Sequence, residues 1–199
     1  MGCDIHMYCE VKTKGLDVWR AAGRIFKNYW DMTKKEFVSI VTDNGEYAFG
    51  EPYTLHPYDD RDYDLFGMLA NVRNGTWSEP VIPISLPKGL PKDVSKFVNE
   101  KANEWNLDGH SHSFLTLEEL EKYEWKKKVK MERYVTKEQK KEYDEKGIKP
   151  DSYALYISDG VLLEWDAEIY PKYFVEEVIP QLQALKKFGE VRIVFWFDN

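Results

Sequence analysis

The stretch Cys3-Asp4-Ile5-His6-Met7-Tyr8-Cys9-Glu10-Val11 decides the fold class. Cys3, Ile5, Met7, Cys9 and Val11 fall on one side of an extended chain, and Asp4, His6, Tyr8 and Glu10 on the other. That period of two marks a strand with one face in the core. Further strands are expected at Val18–Arg24, Glu36–Thr42 and Tyr47–Phe49, with Asp43-Asn44-Gly45 turning between the last two. The acidic block from Asp59 to Asp64 starts a helix capped by Asp60 or Asp62. Leu65, Leu69 and Val72 make its apolar stripe, and Asn74-Gly75 ends it.

After a proline-rich loop from Pro80 to Pro91, a second helix is expected from about Asp93 to Trp105, burying Val94, Phe97, Val98 and Ala102. Thr116-Leu117-Glu118-Glu119 reads as a capping box opening a helix over Leu117–Trp125. Tyr153–Ile157 and Val161–Trp165 look like a hairpin around Ser158-Asp159-Gly160. Phe174, Val178, Leu182 and Leu185 predict a long helix ended by Gly189, which Pro180 kinks or delays. Val191–Phe197 reads as a central strand. The sum is an α+β fold: one domain over residues 1–199, with a mostly antiparallel sheet and three or four helices.

The 199 residues are 43% hydrophobic and 32% charged, enough to bury a core. A net charge of −7 argues against extended nucleic-acid binding. It is an average over unlike parts. From Lys126 to Gly147, nine Lys/Arg face five Asp/Glu, a local +4, so the rest of the chain carries −11. Residues 126–150 therefore read as a charged helical insertion with Thr136 as cap. No apolar run nears the ~20 residues of a membrane span, and no signal peptide opens the sequence. His6 stands where an N-myristoylation signal needs Ser or Thr. Cys3 and Cys9, six residues apart on one strand, would lie ~20 Å apart and cannot pair. They read as reduced thiols of a cytoplasmic protein, and Cys3 on the apolar face is a poor nucleophile for His110.

Asp4-Ile5-His6 and Asp108-Gly109-His110-Ser111-His112 both set acid and imidazole at alternate positions. Two such strands side by side would gather Asp4, His6, Asp108, His110 and His112 around a divalent Zn, Mn or Fe ion. Glu10, further along the same face, would be the general base for a metal-bound water. The other reading makes Asp108-Gly109 a plain turn and Asp4–His6 a local hydrogen bond. His56 reads as a surface residue. Arg61, at a helix start, and Arg73 would orient an anionic group, and Tyr63 would stack on a base.

Met1-Gly2-Cys3-Asp4-Ile5-His6, Arg61-Asp62-Tyr63-Asp64-Leu65-Phe66, Val72-Arg73-Asn74-Gly75, Leu90-Pro91, His110 to Leu117 and Val191 to Asn199 resemble a family of uncharacterised bacteriophage and prophage proteins. The resemblance covers about half of the chain and passes over Lys126–Pro150. It implies a phage origin and expression in the bacterial cytoplasm, and transfers no catalytic residue.

Three functions follow from these residues. The first is a metal-dependent hydrolase of a phosphoester or nucleotide-like small molecule, used by a phage against host defence. The second is a non-catalytic protein that sequesters a nucleotide signal or a host protein. The third is a structural, host-interaction module.

Overall fold

The computed structural model describes residues 2–26, 35–40, 56–76 and 78–199, with side chains outside 23–26 and 35–40. The expected turn at Asp43-Asn44-Gly45 and strand Tyr47–Phe49 lie outside the described residues. The fold is α+β, with every strand pairing antiparallel. Strands β1 (Ile5–Thr13), β2 (Trp19–Phe26), β3 (Lys35–Ile40), β4 (His110–Thr116) and β7 (Gly189–Phe197) form one sheet in the order β3-β2-β1-β7-β4. Strands β5 (Lys127–Val135) and β6 (Val161–Ile169) form a second, two-stranded sheet. Five α-helices accompany them among the described residues, in line with the three or four helices and the polar helical excursion expected: α1 (Tyr63–Ala70), α2 (Lys96–Glu104), α3 (Leu117–Lys122), α4 (Lys137–Lys146) and α5 (Ile179–Ala184).

The alternation of β1 sorts side chains as read, but both faces of the strand are covered. Ile5, Met7 and Cys9 stand opposite Phe197, Phe195 and Ile193 of β7. Together they pack against Leu65, Phe66 and Leu69 of α1, Leu120 of α3 and Leu182 of α5. On the reverse, Tyr8, Val194 and Trp196 bury against Val98 and Ala102 of α2. Each fully buried large side chain here is worth roughly 1.5–3 kcal/mol. A strand expected to expose its even positions is thus interior on both sides, because α2 lies over them.

Helix boundaries follow local chemistry. The Asp62 carboxylate accepts from Leu65 N at 3.0 Å and caps α1. That helix stops at Asn71, in the left-handed region at φ 61°, four residues before Gly75. Ser95 caps α2, and the Thr116 capping box opens α3 with both reciprocal bonds made. The proline-rich loop returns to the core through Ile84 N to Met68 O at 2.7 Å and Gly89 N to His112 O at 2.8 Å.

Two elements differ from expectation. Residues 126–150 are not helical throughout: β5 precedes α4 and pairs along its length with β6. Val129, Met131 and Val135 of β5 join the main core, whereas α4 has no fully buried residue and only Tyr143 leans against that core. The segment from Tyr153 to Ile157 is therefore not the partner of β6; it touches the sheet through one bridge, Ala154 to Tyr134. Before α5, Phe174–Val178 forms a π-helical turn, in which Ile179 N bonds back to Phe174 O. Pro180 has no N–H to continue the α pattern, and the wider turn accommodates it. Gly189 opens β7 where a Cβ would overlap the Lys12 carbonyl, so the close approach of β1 and β7 needs glycine.

Candidate functional site

The blocks containing Asp4, Arg61, Arg73 and Asp198 meet at one end of β1 and β7. Arg61 donates two hydrogen bonds to Asp4, Nε to Oδ1 at 2.8 Å and Nη2 to Oδ2 at 2.6 Å. This fork holds the Asp4 carboxyl below the usual carboxylate range. Asp4 N donates to Asp198 Oδ1 at 3.0 Å, and His6 Nε2 lies 3.3 Å from Asp198 Oδ2. Cys3 N donates to the Tyr63 hydroxyl at 3.1 Å. Arg73, itself left-handed at φ 52°, donates from Nη2 to Asn199 Oδ1 at 2.9 Å and stands 6.0 Å from the Tyr63 ring centre. Burial raises the Cys3 thiol pKa, and the Arg73 guanidinium only partly offsets this. Both cysteines are free and buried. Asp4, His6, Arg61, Tyr63 and Arg73 therefore share one neighbourhood.

The histidines do not share a metal site with them. Strand β7 runs between β1 and β4, so two strand spacings, about 10 Å, separate His6 from the β4 histidines. The Trp196 indole fills the gap: its centre is 5.9 Å from the His6 ring and 5.6 Å from the His112 ring. His6 also lies against Trp105 at 3.8 Å. His110 Nδ1 is 3.0 Å from Ser111 Oγ, and its buried Nε2 finds no partner. A bulge between His110 and Ser113, with Ser111 at φ 51°, breaks the alternation that would have aligned His110 with His112. Asp108 is exposed in the turn leaving α2, where its N–H and that of Gly109 both bond to Trp105 O. Among the described residues, no three His, Cys, Asp or Glu side chains converge to hold a metal ion.

Glu10 is also placed differently from a general base. Its side chain is 0% exposed; Oε2 accepts from Arg192 Nε and Oε1 from Ser95 N, each at 2.7 Å. Arg192 continues to Asp93 Oδ1 at 2.7 Å and lies 3.9 Å from the Trp19 ring centre. This network fastens the start of α2 to the sheet. His56, read as a surface residue, packs its ring 4.6 Å from that of Tyr8.

A concavity lies next to the Asp4–Arg61 pair. A cleft of about 740 Å³ opens between the start of α1 and the β5–β6 sheet. Tyr58, Tyr63, Tyr153, Trp165 and Tyr173 supply its aromatic lining, with Met131 and Ile169. Tyr58 and Tyr173 pair at 6.1 Å, and Tyr153 and Trp165 at 5.5 Å. Arg61, Lys149, Asp60, Asp62, Asp64 and Glu168 line it with charge. Sequence reasoning found Arg61 and Tyr63 and missed the other rings. Their one signal was the chain's 15% aromatic content, which names no position.

Fold and cleft together define an α+β protein with an aromatic-lined cleft beside its smaller sheet. No family model, curated protein or solved structure matches the chain.

Proposed function

We propose that this protein binds a small molecule without turning it over, using the cleft between α1 and the β5–β6 sheet. The observation that carries this reading is the lining: five aromatic side chains around about 740 Å³, a size in the usual range for small ligands. Flat or compact organic groups gain stacking and burial there. Arg61, locked in place by Asp4, gives one wall a fixed hydrogen-bonding edge. Hydrolysis has less support. The histidines expected to hold a metal are divided by Trp196, and Glu10 is committed to Arg192 and Ser95. Capture of a host small molecule in a bacterial cytoplasm suits the resemblance to phage proteins.

Titration of the full chain with a panel of nucleosides, nucleotides and organic amines, followed by calorimetry, tests the reading. Saturable binding that weakens at least tenfold in a Tyr153→Ala, Tyr173→Ala variant supports it. Both positions are about half exposed, so the variant is expected to fold. Binding unaffected by the two substitutions would move the site elsewhere.

A further inference from the structure

We infer that the group recognised in this cleft is an organic cation, a quaternary ammonium or protonated amine, and not a phosphate. The inference rests on the cleft being the binding site. Four carboxylates line it, Asp60, Asp62, Asp64 and Glu168, against two cations, Arg61 and Lys149. One of those cations is already matched, because both carboxylate oxygens of Asp4 take up the Arg61 fork. The other, Lys149, donates its ammonium to the Asp166 carbonyl at 2.7 Å, which fixes its direction. A phosphate entering here would meet an excess of like charge with no free guanidinium fork to receive it.

The aromatic lining completes the argument. Rings attract cations through the negative potential of their faces, and Trp and Tyr do so best. This molecule already uses that attraction nearby, with Arg73 6.0 Å from the Tyr63 ring centre and Lys126 5.3 Å from that of Tyr170. Tyr58 records the local field: burial first, then Asp62, Asp60 and Asp59, raise the pKa of its hydroxyl. Asp64 is raised by burial and by Asp62 beside it. Aromatic walls with a surplus of carboxylates are the chemistry of ammonium recognition, in which the rings replace water around the methyl groups and distant carboxylates supply the field.

Calorimetric titration of the full chain with four probes tests this: choline, its neutral isostere 3,3-dimethyl-1-butanol, adenosine and adenosine monophosphate. Choline is expected to bind at least tenfold more tightly than the isostere, and adenosine monophosphate more weakly than adenosine. Glu168→Gln should weaken choline several-fold and leave the isostere unchanged, since Glu168 is exposed and its loss disturbs no packing. Binding of adenosine monophosphate or the isostere as tight as that of choline overturns the cation assignment and leaves the cleft as a ligand site. Absence of binding by all four probes overturns both.

Discussion

Glu10 and Arg192 stand directly opposite each other on β1 and β7, their side chains 0% and 4% exposed and joined at 2.7 Å. Asp93, Ser95 and Trp19 complete the arrangement, so both charges are spoken for where water cannot reach. Removing one partner of such a pair costs about 3–5 kcal/mol, whereas replacing both by apolar groups costs much less. Arg192→Met is expected to be the worst single change, because it strands the Glu10 carboxylate. Glu10→Gln should cost less, since Asp93 still faces Arg192. Urea unfolding of both variants and of Glu10→Leu, Arg192→Met measures this. A double variant less stable than Arg192→Met would show that the pair does more than neutralise itself.

Gly189→Ala places a methyl group on the Lys12 carbonyl at the first pair of the β1–β7 ladder. Backbone cannot yield as a flexible side chain does. A loss of about 1–3 kcal/mol is expected, the usual range for overpacking. Gly15→Ala is the control: nothing lies within 4 Å of its Cβ, so any cost there comes from its φ of +83° alone.

Acid should destabilise the protein in two stages. Burial holds the His56 and His112 imidazoles below their ordinary 6.5, with Asp59 opposing at His56 and His110 adding at His112. Below pH 6.5 the unfolded chain therefore binds protons that the folded chain resists, and stability falls until the folded imidazoles also titrate. A second loss begins below about pH 4, where Asp93, held low by its hydrogen bond from Arg192, must be protonated. Urea midpoints measured from pH 8 to pH 3 check both stages. His56→Gln, His112→Gln should flatten the first and leave the second. A midpoint that rises between pH 7 and pH 5 would contradict the assignment.

Zinc, manganese or iron(II) should neither co-purify at one equivalent nor shift the melting temperature differently in the native chain and a His110→Ala, His112→Ala variant. The expectation follows from the place of Trp196 between His6 and His112. Stoichiometric metal lost in the variant would return hydrolysis to first place.

Local chemistry was legible in the sequence wherever partners are close along the chain. The alternation of β1, the α1 cap offered by Asp60 or Asp62, which falls to Asp62, the Thr116 capping box, the Thr136 cap and the apolar run of β7 all reappear. The strand β5 was legible too, since Val129, Met131 and Val135 keep a period of two. The lysines between them drew attention to charge in place of spacing. The candidate site was readable only as a set of residue types. Whether His6 meets His112 depends on which strand lies between them and on a bulge at Ser111, and neither leaves a mark in residue order. Glu10 looked available because Arg192 is 182 residues away. The cleft's rings come from four separate segments, so no motif contains them.

The order β3-β2-β1-β7-β4 places the first and last strands side by side in the middle of the sheet. A ribosome delivers β1 long before β7, and until then β1 has an unpaired edge and β4 lacks its one partner among the described strands. Contacts at such separation form slowly. The β1–β7 ladder therefore closes late in synthesis, and the middle of the sheet is complete only once both strands are present.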